Sequence, residues 1–144
     1  MEVLFTVNIS LNNAGIMTLN SLTNNYGSPP IGGSANPPSV ASYIPANATN
    51  FTAIEACGQC MSGPYGQYQY NCTVIYNLPD GSILTIKFVL DFQTNVDSYS
   101  AIVSAGSSNT TANSLFEVVN ASLTGTASSG YVYDFTIQMQ GTTS

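Results

Sequence analysis

QYQYNCTVIYNLPDGSILTIKFVLDF, residues 67–92, alternates apolar and polar side chains on both sides of one reversal. Tyr68, Tyr70, Cys72, Val74 and Tyr76 fall on one face of the first arm. Residues 77–82 turn the chain, with Gly81 free to take a positive φ. Leu84, Ile86, Phe88 and Leu90 return on one face, while Thr85, Lys87 and Asp91 point to the other. A period of two over more than twenty residues specifies a hairpin with one buried face and excludes a helix.

The same period recurs on either side. Val3, Phe5, Val7, Ile9 and Leu11 form one strand, and Met17 and Leu19 open a second after the turn at 12–15. A third strand covers 51–57, a short one 99–103, and the last two run over 115–123 and 131–139. Residues 24–42 are rich in Gly, Pro, Ser and Asn and read as a long surface loop, and 106–113 reads as a polar loop. These patterns predict a single all-β domain over 1–144, an antiparallel β-sandwich of seven or eight strands with jelly-roll-like character. Both ends of the chain read as strands, so one is placed to close the other at a sheet edge.

Lys87 is the only basic side chain among 144 residues, and histidine is absent. One cation cannot neutralise a run of phosphates, so nucleic acid is excluded as a partner. Without histidine there is no Ser-His-Asp or Cys-His nucleophile and no imidazole metal ligand. Lys87 itself reads as a solvated sheet-face residue. The seven carboxylates are dispersed and form no calcium-type cluster. A glycosidase-like pair such as Glu55 and Asp91 is the surviving enzymatic route, and dispersed acids on a sandwich argue against it. The expectation is a non-enzyme with no catalytic residue, no cofactor and no metal.

Asn, Ser and Thr make up about a third of the chain. Such a surface repels its copies weakly, so a homo-oligomer, or a self-assembling filament or capsid subunit built by edge-strand pairing of its terminal strands, is the alternative reading. The six Asn-x-Ser/Thr sequons, at Asn8, Asn47, Asn50, Asn71, Asn109 and Asn120, follow from that composition. Cys57, Cys60 and Cys72 are an odd count, read as a buried thiol cluster or as one disulfide with a spare, pairing open. The first residues, Met1 to Leu11, do not read as a signal peptide, although a secreted or cell-surface setting is favoured.

The order of features in the middle of the chain resembles a known family. A Pro-Pro pair precedes IPANATNFTAIEACGQCMSGPYGQYQY, which starts at Ile44 and carries Gly63-x-x-Gly66 into a Tyr-rich strand. NLPDGSILTIKFVLDF follows, and Asn95 precedes Tyr99-Ser100. This arrangement resembles the aegerolysin-like β-sandwich proteins of fungi and bacteria, including small insecticidal crystal proteins that act with a larger partner. The resemblance implies a non-catalytic module that binds a membrane lipid or a larger protein partner. It also implies the small component of a two-component pore-forming system, with lipid recognised by loops at one end. Tyr26, Tyr43, Tyr65 and Tyr99 are the loop aromatics suited to a lipid–water interface. An acidic chain points to a neutral or zwitterionic lipid rather than an anionic one.

Overall fold

The computed structural model describes residues 2–12, 14–25, 33–35, 38–60, 67–94, 99–126 and 129–140. Among them are eleven strands and no helix: β1 (Glu2–Asn12), β2 (Met17–Asn25), β3 (Gly33–Ala35), β4 (Ser39–Val40), β5 (Tyr43–Ile44), β6 (Phe51–Cys60), β7 (Gln67–Asn77), β8 (Ile83–Thr94), β9 (Tyr99–Asn109), β10 (Phe116–Thr126) and β11 (Gly130–Met139). One sheet has the order β10-β11-β1-β6-β3, with β4 also on β6; the other has the order β5-β2-β7-β8-β9.

The hairpin that decided the reading is the centre of the second sheet. Its arms pair without interruption from Gln67↔Gln93 to Asn77↔Ile83. Cys72, Val74 and Tyr76 on one arm, and Leu84, Ile86 and Phe88 on the other, face the core. They meet Phe5, Val7 and Ile9 of β1 and Phe135 and Ile137 of β11 in one apolar cluster. Phe5 and Phe88 stack in a tilted arrangement across the two sheets, 4.8 Å between ring centres. Alternation thus sends one face of each sheet into a shared core, and the two sheets close as a sandwich.

Four expectations are corrected. The first sheet is mixed, because β1 pairs with β11 in parallel, from Phe5↔Tyr131 to Asn12↔Gln138. Period-two patterning fixes which face is buried and carries no information on strand direction, so the parallel pair was invisible in it. The terminal strands lie inside the sheet, each paired on both sides, and do not form its edges. The strand count is higher because the 24–42 stretch contains β3 and β4, which add to one edge of β6 on either side of the Pro37-Pro38 pair. The 106–113 stretch is also only partly a loop, since β9 continues to Asn109 by pairing with β8.

Several sequon asparagines have a structural reason to be asparagine. Asn47, Asn50 and Asn120 take positive φ of 57°, 47° and 56°, the left-handed region that Asn tolerates better than most residues. Asn8 Oδ1 accepts the Thr52 hydroxyl at 3.0 Å.

Two substitutions test this packing. Phe88→Ala should destabilise the fold by about 3–5 kcal/mol in denaturant titration, the range for emptying a buried aromatic site. Gly125 has a φ of +109°, and a Cβ there would lie 2.1 Å from the Gly130 carbonyl oxygen. Gly125→Ala should therefore open the β10–β11 hairpin, with loss of amide protection confined first to those two strands.

Candidate functional site

β1, β7, β9 and β11 run toward one end of the sandwich, and β2, β6, β8 and β10 start from it. The connecting segments 14–16, 45–50, 78–82 and 110–115 therefore gather there. A polar network ties two of them together. Asp80 Oδ1 accepts the Ser82 backbone N–H at 3.0 Å and the Ser82 hydroxyl. Its Oδ2 accepts the Leu115 N–H at 2.8 Å. The single hydroxyl hydrogen of Ser82 goes to Asp80, so Ser114, 2.9 Å away, donates to Ser82. Ser114 Oγ in turn accepts the Phe116 N–H and the Asn109 amide, each at 3.1 Å. Gln140 closes the set, its N–H donating to the Leu115 carbonyl at 2.8 Å.

The electrostatics of Asp80 follow from these contacts. Burial is the largest single influence and pushes its carboxyl up, but the donors from Ser82 and Leu115 together outweigh it and hold the group below the usual carboxylate range. On the opposite flank Tyr76, fully buried, donates its hydroxyl to the Ala41 carbonyl at 2.8 Å. Burial raises its pKa well above the ordinary phenol value. This bond anchors the chain just before β5 and so sets the position of Tyr43.

The surface over this network mixes exposed amides and hydroxyls, from Asn47, Thr49, Asn50, Thr110, Thr111 and Asn113, with large apolar side chains, and it is nearly uncharged. Asp80 is the only charged residue in the four connections. Among the described residues five large hydrophobic side chains are exposed, and four of them belong to this end: Ile16 (50 % exposed), Tyr43 (52 %), Leu115 (55 %) and Met139 (38 %). Residue patterning had no means to find Ile16, Leu115 and Met139, because each sits at a strand terminus where alternation stops. The signal available was the lack of charge in the intervening loops.

Of the four tyrosines singled out from the sequence, Tyr43 and Tyr99 are among the described residues, and these two lie at opposite ends of the sandwich. Tyr43 pairs with Thr18 at the start of β2 and belongs to the end just described. Tyr99 is the first residue of β9, opposite Thr94, at the other end of the sandwich; its side chain lies outside the described residues. Tyr26 and Tyr65 lie outside the described residues altogether. Cys57 and Cys60 are on β6 in the first sheet, their side chains likewise outside the described residues, whereas Cys72 is buried on β7 in the second sheet. Glu55 and Asp91 also belong to different sheets, on β6 and β8. No group of three His, Cys, Asp or Glu suited to a metal ion occurs among the described residues.

No family model, curated protein or solved structure matches this chain.

The two shifted groups give the pH dependence of stability its sign. Folding lowers the Asp80 pKa from its ordinary 3.8, so its contribution is present above that value and is lost as pH falls through the lower folded one. Folding raises the Tyr76 pKa above 10.0, so its contribution is complete below pH 10.0 and is lost as pH rises toward the folded value. Thermal unfolding should be level from about pH 7 to about pH 4.5, with a fall on either side of the wider window. Asp80→Ala should flatten the acid limb alone. Tyr76→Phe should flatten the alkaline limb and cost about 1–2 kcal/mol at neutral pH, the loss of one buried hydrogen bond.

Proposed function

We propose that this chain is a non-catalytic binding module of the aegerolysin-like kind its sequence resembles. It docks on a neutral or zwitterionic lipid surface through the end of the sandwich that carries Ile16, Tyr43, Leu115 and Met139. A larger pore-forming protein is the partner this reading assigns to the docked module.

The observation that carries the proposal is the pairing of exposed apolar side chains with loops that hold one charge, itself held by hydrogen bonds. Placing Ile16, Tyr43, Leu115 and Met139 beneath lipid headgroups removes apolar area from water, and the one charge in these loops is already hydrogen-bonded within the protein. The network below keeps the loops from rearranging, so binding loses little conformational entropy. Tyrosine at the rim supplies an apolar body and a hydroxyl that stays at the water boundary. With a net charge of -6 and one lysine, attraction to anionic lipid is absent and the target is uncharged overall.

Co-sedimentation with vesicles of phosphatidylcholine and sphingomyelin is the test. Binding should change little between about 50 and about 500 mM salt, a range over which counterion-driven binding falls by orders of magnitude. Ile16→Asp and Leu115→Asp should each weaken it by roughly tenfold or more, the equivalent of one apolar side chain returned to water. Lys87→Ala should leave it unchanged. Binding that collapses with salt, or that ignores both aspartate variants, would show the reading to be wrong.

A further inference from the structure

The outer face of the second sheet carries a separate feature. A concavity of about 530 Å³ crosses β7, β8 and β9, lined by Thr73 and Ile75, by Thr85 and Lys87, and by Gly106 and Ser108 among others. Register sets these side chains in two rows. Thr73, Lys87 and Gly106 lie opposite one another, and Ile75, Thr85 and Ser108 form the next row. Two rows on three strands span roughly 7 by 10 Å, since alternate residues along a strand are about 7 Å apart and neighbouring strands just under 5 Å.

The lining has one cation, several hydroxyls and one aliphatic side chain, and no carboxylate. Lys87 is exposed and brings three ammonium donors to a protein that has no other cation. Thr85 forms the floor: it lies on the outer face yet is only 7 % exposed, because its neighbours rise around it. Gly106 makes the notch beside Lys87, since a Cβ there would meet nothing within 4 Å. Ser107, which also borders the concavity, has its hydroxyl 3.0 Å from the Tyr133 hydroxyl.

We propose that this concavity is a binding site for a carboxylated sugar. The ammonium of Lys87 takes the carboxylate, the hydroxyls of Thr73, Thr85 and Ser108 bond the ring hydroxyls, and Ile75 meets the ring's C–H face. The footprint argues for a sugar over a small inorganic anion. An anion seated on Lys87 would leave the second row, one strand repeat away, without a partner, whereas a pyranose ring reaches both. The volume also falls in the range of small-molecule sites. A single exposed ion pair contributes little, so the hydroxyl contacts must supply most of the affinity, and weak millimolar binding is expected. The site is on the sheet face and reaches Thr110 at the border of the docking end, but it uses none of Ile16, Tyr43, Leu115 and Met139 and stands or falls independently of lipid docking.

The probes are glucuronate, glucose and inorganic phosphate, each titrated into the ¹⁵N-labelled full chain and followed by amide shifts. Glucuronate should bind with a dissociation constant in the low millimolar range, with the largest shifts at Thr85, Lys87, Gly106 and Ser108. Glucose and phosphate should each bind at least about tenfold more weakly. Lys87→Met keeps the aliphatic stem and should reduce glucuronate to the level of glucose. Gly106→Val fills the notch with a residue suited to a strand, and should abolish binding while leaving the melting temperature at or above that of the parent. Lys87 is exposed, so its methionine variant keeps the test valid if the valine variant folds poorly. No glucuronate shift by about 50 mM, or equal binding of phosphate or glucose, overturns the proposal.

Discussion

The parallel pairing of β1 with β11 is the interaction on which the rest of the molecule depends. Each of these strands has a second neighbour, β6 for β1 and β10 for β11. Without the pair, the first sheet would split into β1–β6 with the short β3 and β4 on one side and a β10–β11 ribbon on the other, and a two-stranded ribbon is barely stable alone. The two strands also bring Phe5, Val7, Ile9 and Leu11 together with Tyr133, Phe135 and Ile137, much of one wall of the core. Closing a loop of that length costs entropy that grows only slowly with its size, while the apolar area gained is large. The same non-local pairing delays folding, because the first strand waits for the last.

Once the sheet is closed, one end of the sandwich must cover polar backbone at several strand termini. Asp80 does much of this by accepting donors from its own turn and from Leu115, and Ser114 passes the contact on to Asn109 and Phe116. The consequence for binding is direct. With the Asp80 carboxylate and the Ser114 hydroxyl hydrogen-bonded inside the protein, the one charge of these connections is already partnered where Ile16, Leu115 and Met139 are exposed. The carboxylate that makes this arrangement is also the group that should give it up in acid.

Much of the second sheet was legible in the sequence. Residues 67–92 gave the turn and the buried faces, and Gly81 has the positive φ, 86°, that the turn was expected to use. The first sheet was only half legible. Strands β1, β6 and β11 follow from their alternation, but nothing in Val7 or Phe135 records that their strands run in the same direction. The end of β9 was hidden because Gly106, Ser107 and Ser108 have no apolar alternation; they are strand because β8 pairs with them. The groove on the sheet face was hidden for a related reason. Lys87 read as solvated, and it is exposed, but its neighbours in the groove come from two other strands. Proximity of that kind is set by register, which no single stretch contains.

In so weakly charged a protein the treatment of the sheet edges bears on how readily strands of neighbouring copies could add to it. A chain with seven carboxylates, one lysine and two β-sheets has little charge repulsion to oppose strand addition. Its edges carry other obstacles. β5 and β4 are two residues long and β3 is three, and Pro38, the residue before β4, has no N–H to offer a neighbour. β10, the long edge of the mixed sheet, has a register shift between Val119 and Ser122, with Asn120 in the left-handed conformation. A bulge of this kind twists the edge and breaks the spacing a straight partner strand would need. The terminal strands, which seemed the natural means of self-assembly, are enclosed on both sides. β9, eleven residues long, ends the second sheet with β8 as its one ladder partner among the described residues. This fold therefore leaves for recognition both side-chain surface, at the end that carries Ile16 and Leu115 and over the hydroxyl-lined face, and the open backbone of that edge.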